Sequence, residues 1–404
     1  VVDTGSSEIS TSVSSAKIDS LPVAGNFTSL LKIVPGVRPE ALAGGFSIDG
    51  ATNSENTFVI DGQEVTNYRN GGLNSNNNVP FAMVSEFQVK SSGFNAEFGG
   101  ATGGVINVVT KGGNNEWHGD FGISFEPSKL QGDTRPGLNS FTSGSISNTT
   151  YVRTNEYITP PKSSYLTTLP SANLSGPIVK DKVWFFASYS PTMFSETRDS
   201  VYYNSAPAAT RVVTGGERYT ASTTNEYMFG RIDASPWSKL RLTGTYLYNP
   251  FKQEGIIPFG TYAIGGATQC VNFGGTLGTV CGNDLNSQQG GFQSSNNQTF
   301  QAVYTPVNSV VGTFRYSRGF LNEKLGNYFK PAGTRYICTS GNNTSTNYGS
   351  GACTQGVNDP ANDQTLKDVS VRENYEGDLS YLFNGGGRHE LKGGYGHQSI
   401  FNDL

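Results

Sequence analysis

Beyond residue 117 apolar and polar residues alternate in short runs, with the period of two expected of strands whose two faces meet different surroundings. The runs predict strands over 117–126, 167–176, 182–191, 225–235, 239–249, 297–306, 309–319, 373–383 and 388–397. Their faces differ in kind. Leu240, Leu242, Tyr246 and Tyr248 lie opposite Arg241, Thr243 and Thr245. Phe314, Tyr316 and Phe320 oppose Thr313, Arg315 and Ser317, and Gly377, Leu379 and Tyr381 oppose Glu376, Asp378 and Ser380. Strands of ~9–11 residues cross a bilayer when tilted, so one face would meet lipid and the other a wet lumen. Phe185, Tyr189, Tyr246 and Tyr248 are then candidates for aromatic girdles.

The connections fall into two classes. Those at 177–181, 236–238, 307–308 and 384–387 are tight and rich in Pro, Asn and Gly, whereas those at 127–166, 192–224, 250–296 and 320–372 are long. Soluble sandwiches also alternate, but structureless loops of that length are uncommon in compact domains. Short turns at one end and long loops at the other are the topology of an outer-membrane barrel. Nine strands is an odd number where single-chain bacterial barrels use even ones, and plugged transporter barrels have about 22. The expectation is a barrel cut short.

Residues 16–116 read differently, as a small mixed α/β domain after a linker at 1–15. Residues 16–22 and 26–36 predict short helical turns, the second capped by Asn26 and stopped by Pro35-Gly36. Segments 46–50 and 57–62 read as strands ending in Asp-Gly turns, and 84–90 alternates. Gly99, Gly100, Gly103 and Gly104 allow a tight turn before the apolar strand Val105–Thr110, and 111–116 forms a tether.

Composition narrows the functional classes. The chain has 404 residues, 35% hydrophobic and 15% charged, with 51 Gly, 20 Tyr and 24 Phe. Many aromatics with few charges argue against disorder and for β-structure with polar loops. The formal charge of −4, without a basic patch, gives no case for nucleic acid. No apolar run approaches the ~18 residues of a membrane helix, and residues 1–18 lack the marks of a signal peptide, which points to a mature chain or a fragment. Cys270/Cys281 and Cys338/Cys353 form two local pairs too widely spaced for a zinc motif. Two loop disulfides are the leading reading, with free thiols as the alternative.

Nothing points to catalysis, and no cofactor or metal is required. His118, His389 and His397 are scattered, the last two on one face of a strand, where a wall position outweighs a metal site. Asp49 and Asp61 sit in Ile-Asp-Gly segments, where a hairpin turn outweighs calcium. No nucleophile, metalloprotease or phosphate-loop signature occurs.

Residues 97–119, EFGGATGGVINVVTKGGNNEWHG, together with the upstream LP…PGV, F.IDG and V.EF.V elements, resemble the plug of a TonB-dependent outer-membrane receptor, Oar-like branch. LSGPIVKDKVWFFASYS, GRIDASP and RHELKGGYG resemble the barrel of that branch. The resemblance implies a mainly β fold, a small α/β plug followed by an incomplete antiparallel transmembrane β-barrel over 117–404. It implies no enzyme activity but TonB-dependent uptake through the outer membrane of a Gram-negative bacterium. The partners would be outer-membrane lipid, an extracellular small ligand, glycan or peptide, and the TonB-ExbB-ExbD system acting on an N-terminal box. Val2-Asp3-Thr4 is similar to that box but reads as linker. The ligand class stays open among siderophore, cobalamin, oligosaccharide and peptide, and a structural or adhesive barrel without transport is the alternative.

Within the plug, Tyr68, Arg69, Asn70, Asn74 and Asn76 form a polar loop that would face the ligand, or serve as a plain connector. Tyr202-Tyr203 and Asn342-Asn343 suit sugar or peptide contacts, or a hydrated surface. The resemblance further implies a plug held by polar contacts, because an apolar interface could not loosen. Arg38, Glu55, Glu86, Glu97 and Lys111 are the plug-side candidates and Arg231, Arg241, Arg315 and Arg318 the wall-side ones.

Overall fold

The computed structural model describes residues 9–15, 25–40, 44–67, 71–94, 98, 101–143, 152–204, 206, 208–257, 260–264, 266–268, 270–272, 279–287, 289–322, 336–338, 356–358 and 368–403. The first unit carries β1 (Ile9–Ser14), β2 (Val37–Pro39), β3 (Phe46–Ile48), β4 (Thr57–Ile60), β5 (Gln63–Glu64), β6 (Val84–Ser92) and β7 (Val105–Thr110). Five of these form a sheet in the order β1-β6-β7-β4-β5, antiparallel except where β4 meets β7. β7 lies centrally, which is why its sequence is almost continuously apolar.

A 3-10 helix, Phe27–Ile33, contributes Phe27, Leu30 and Leu31, all fully buried, to the core that β6 and β7 share. The Phe27 ring sits 6.1 Å from that of Phe87. Burying a side chain of this size contributes ~1.5–3 kcal/mol relative to leaving it in water. Asn26 holds the N-cap position, but its side-chain oxygen accepts from the Thr28 and Ser29 hydroxyls rather than from a helix N–H. Both Asp-Gly pairs are turns with positive φ at each residue, 48° and 92° at Asp49-Gly50 and 48° and 81° at Asp61-Gly62. Gly104 is required by close approach, since a Cβ there would lie 2.5 Å from the Ile48 side chain.

Two expectations need correction. Residues 9–14, placed in the linker, form β1, paired with β6 from Ser14↔Glu86 to Ile9↔Ser92. Val13 is the one buried side chain of that Ser/Thr-rich strand, too weak an apolar signal to mark it. The predicted turn at 16–22 lies outside the described residues.

The second unit is a sheet of fourteen strands rather than nine. It contains β8 (His118–Pro127), β11 (Ser164–Val179), β12 (Val183–Tyr189), β13 (Thr192–Tyr203), β14 (Val213–Asn225), β15 (Met228–Trp237), β16 (Leu240–Tyr248), β17 (Phe251–Glu254) and β18 (Tyr262–Ile264). It continues with β21 (Gly290–Gln293), β22 (Ser295–Val307), β23 (Val310–Asn322), β26 (Val369–Asn384) and β27 (Arg388–Asp403). Separate hairpins are formed by β9 (Gly137–Ser143) with β10 (Val152–Ile158), β19 (Cys270–Asn272) with β20 (Thr279–Cys281), and β24 (Tyr336–Cys338) with β25 (Gly356–Asn358).

The nine predicted runs correspond to β8, β11, β12, β15, β16, β22, β23, β26 and β27. The additional strands lie in segments read as loops. β12 and β13 are one path broken at Ser190-Pro191, β14 and β15 one broken at Glu226-Tyr227, and β16 and β17 one broken at Asn249-Pro250. The breaks are neighbours: Ser190 N–H donates to Tyr227 O (3.0 Å), Glu226 N–H to Pro250 O (2.9 Å) and Asn249 N–H to Ser295 O (3.1 Å). Pro191 and Pro250 bring no N–H to the ladder, so a seam forms there.

The faces match the alternation. Phe121, Phe125, Tyr246, Phe314, Tyr375, Leu379 and Tyr381 are exposed on one side. Thr243, Arg315 and Asp378 lie on the other, around a cavity shared with the first unit. His389 and His397 pair with Phe383 and Tyr375 across the β26–β27 ladder, which puts both on the outer face. Cys270 and Cys281 are disulfide-bonded, S–S 2.01 Å. The Cys338 and Cys353 side chains lie outside the described residues.

Candidate functional site

Strand register sorts the inward side chains of the wall into rows. The upper row runs Ser188, Phe229, Leu247, Asn297, Gly319 and Arg372, and the middle one Phe186, Arg231, Thr245, Thr299, Ser317 and Asn374. The lower row runs Trp184, Asp233, Thr243, Gln301, Arg315 and Glu376. The first unit meets these rows at four stations.

The first is ionic. Asp61, in the β4–β5 turn, accepts from Thr110 N–H (2.9 Å) and the Thr110 hydroxyl (2.7 Å), and lies 3.9 Å from Arg231. Arg231 grips Asp233 with two bonds (2.7 and 3.0 Å) and donates to the Thr110 carbonyl (3.0 Å), while the Thr243 hydroxyl donates to Asp233 (2.7 Å). The second joins Glu64 to Arg372 (3.3 Å) and Gln398 (3.3 Å).

The third is a chain of neutral amides. Gln63 donates to Asn297 (3.0 Å), Asn297 and Asn249 donate to the Asn77 side-chain oxygen (2.9 and 3.0 Å), and Asn76 donates to the Asn249 carbonyl (2.9 Å). The fourth is apolar. Phe186, Tyr227, Phe229 and Leu247 belong to the same buried cluster as Phe27, Leu31 and Met83.

The tether follows directly. A Cβ on Gly113 would lie 2.3 Å from the Phe185 carbonyl oxygen, so only glycine allows that approach to β12. Asn115 then accepts from Asp181 N–H (2.8 Å) and the Trp184 indole (2.7 Å), and Trp117 packs edge-on against Phe185 at 5.5 Å. A plug-like unit is thus fastened to the polar face of a strand wall through its own C-terminal end.

A family profile described as "TonB-dependent Receptor Plug Domain" matches residues 3–105. The TonB-dependent transporter Oar of Myxococcus xanthus is 35% identical over 175 residues, covering 43% of this chain and 15% of that protein. Residues 3–105 thus match the plug domain of TonB-dependent receptors. Among solved structures, the outer membrane transporter YddB from Escherichia coli superposes with a TM-score of 0.58 at 17% identity. The siderophore receptor PirA from Acinetobacter baumannii gives 0.56 at 15% identity. Each alignment covers 97% of this chain and 48% of the other. These identities speak for the fold alone, and the chain spans about half the length of the solved receptors and less of the curated ones.

In the plug-like unit, burial pushes the Asp61 carboxyl above the ordinary carboxylate range, outweighing the Thr110 bonds and Arg231. A raised value means that its stabilising contribution is complete below the ordinary carboxylate range and is lost as pH rises through the folded-state value. Melting curves of the full-length protein from acid to neutral pH should show this loss, and Asp61→Asn should flatten it. An unchanged slope would separate Asp61 from plug stability.

The sequence-assigned residues distribute unevenly over the structure. Tyr68, Arg69, Asn70 and Glu97 lie outside the described residues, as do Asn342 and Asn343. The Asn74 side chain accepts from Asn76 N–H (3.0 Å), and Asn76 is fully buried against the wall, so the latter fastens the plug rather than meeting a ligand. Tyr202 is likewise buried, bonded to Tyr219 at 2.5 Å, while Tyr203 stacks on Tyr262.

Of the proposed charges, Arg231 makes its expected bond to the plug. Glu55 bonds within its own turn, where the Thr52 N–H and hydroxyl hold its carboxyl below the ordinary range, and Glu86 bonds Ser12. Arg315 pairs with Glu376 and Asp378 of the wall, and Arg318 pairs with Glu373 on the outer face. Asp61, Glu64 and Arg372 carry the cross-contacts instead, and strand alternation could have marked Arg372 as inward. The expectation of a polar plug–wall interface needs correction, because Phe186, Phe229 and Leu247 make one sector of it apolar.

Proposed function

We propose that the full-length protein is a TonB-dependent receptor of a Gram-negative outer membrane that takes up an extracellular ligand through a plug-gated barrel. The observation carrying this reading is the asymmetry of the plug's attachment. Its C-terminal strand β7 and tether are fastened to β12 and β15 through Arg231, Gly113 and Asn115, while β1, among the described residues, is an edge strand paired with β6 alone. Force from TonB on the N-terminal side would disturb the edge first and leave the far end attached. The exposed aromatic face supports a membrane location. Iron chelates, cobalamin, oligosaccharides and peptides are all candidate ligands.

Cells expressing the full-length protein, with and without TonB, should be supplied with a labelled ferric catecholate, cobalamin, a malto-oligosaccharide and an oligopeptide. Accumulation of one of these is expected only with TonB. Binding without accumulation in either strain would favour the structural or adhesive alternative.

A further inference from the structure

Along the described wall the plug is not held equally. Toward β11–β16 its core continues into the wall, where Phe186, Phe229 and Leu247 are 4%, 6% and 4% exposed, and Leu169 lies against Gly25. Toward β22–β27 the wall holds the plug by polar contacts, Asn297 with Gln63 and Asn77 and Arg372 with Glu64, and beside them presents Gln301, Arg315, Glu376, Asp378 and Lys392 across a cavity of about 1000 Å³ that also borders Arg231 and Thr243. The opposing plug groups are equally polar, among them Asp61, Glu64 and Asn107.

These two sectors respond differently to a pull. Separating the apolar sector exposes hydrocarbon with nothing to replace the lost packing, whereas groups bordering the cavity exchange one another for water. The cavity charges also neutralise one another: Arg315 lies 3.3 Å from Glu376 and 3.4 Å from Asp378, and Lys392 lies 3.9 Å from Asp378. Such a lining presents no field of one sign.

We propose that the plug opens along the β22–β27 sector, with the β11–β16 sector as its hinge, and that a hydrated polar solute of either charge passes along the Gln301, Arg315 and Asp378 face. Selection by charge then resides elsewhere than in this passage. The inference rests on the transport reading above and gives it a direction.

Two reversible tethers in the full-length protein test it. Gly62→Cys with Arg315→Cys spans the cavity sector, where a Cβ on Gly62 would lie 3.5 Å from the Arg315 side-chain Cδ. Gly25→Cys with Leu169→Cys spans the apolar sector, where the corresponding approach is 3.2 Å. Both pairs are closed with a short bis-thiosulfonate linker and confirmed by mass spectrometry, and bilayer conductance is recorded as urea loosens the plug, before and after reductant. Untethered protein taken through the same steps gives the baseline.

The cavity tether is expected to suppress the urea-induced conductance about tenfold, with recovery on reduction, because it holds the plug at high effective concentration against that wall. The apolar tether should leave it near baseline. The reverse pattern, equal suppression or no suppression by either tether would overturn the proposal. As a second measurement, Gln301→Cys should react with fluorescein maleimide at lower urea than Ser188→Cys, and the opposite order would overturn it. Conductance is read without TonB or ligand, so failure here is distinct from failure of TonB-dependent uptake.

Discussion

Tyr246→Lys is expected to cut the membrane-assembled fraction of the full-length protein sharply, while Thr243→Lys leaves most of it intact. Tyr246 is 48% exposed on the outer face of β16, where bilayer hydrocarbon would cover it. Lysine at the midplane of such a face costs ~2–4 kcal/mol, falling toward the interfaces. Thr243 is three residues away on the opposite face, and its hydroxyl reaches Asp233 in the lumen. A lysine there meets water and a carboxylate. Leu379→Lys, on the outer face of β26, should behave like Tyr246→Lys. Heat-modifiability on gels reports folded barrel, and equal losses at Tyr246 and Thr243 would undo the assignment of faces.

Arg231→Met should be the most damaging substitution at the plug–wall contact. The arginine side chain is 15% exposed and stands between Asp61 and Asp233, which are 8% and 5% exposed. Removing one partner from a buried ionic group costs ~3–5 kcal/mol, because the remaining charges stay desolvated and unmatched. The Thr110 carbonyl loses its donor as well, so the end of β7 comes away from β15. Protease cutting at Lys111 in the full-length protein should rise accordingly. Arg231→Met with Asp233→Asn should recover part of the loss, and a double variant no better than the single one would show that charge imbalance is not the cause.

Much of the architecture was legible because each element carries its own local signal. β7 is apolar enough to be central, the Asp-Gly pairs adopt the positive φ that their residue types favour, and nine runs alternate at the length a membrane crossing needs. The signal fades where one face is not apolar. β1 has Val13 as its buried residue, and β13 and β14 mix Ser, Thr, Glu and Arg on both faces, so they read as loop. Their pairing is enforced by neighbours already in register, which no single strand records.

Which charges would meet across the plug–wall boundary was not legible. Alternation placed Arg231 and Arg315 on the inner face equally, yet Arg231 reaches the plug and Arg315 turns to Glu376 and Asp378 beside it. The difference lies in what stands opposite: β7 ends against Arg231, while a cavity borders Arg315. The sequence by itself determined the plug, the tether and a wall with one apolar face, because period, turn chemistry and glycine placement act between near neighbours in the chain. Tertiary structure alone decided that Asn76 fastens the plug rather than facing outward, that Asp61 is both turn and anchor, and that the plug–wall boundary is apolar in one sector and wet in another. Those outcomes depend on the lateral position of residues more than a hundred apart, which rests on the register and packing of the whole wall.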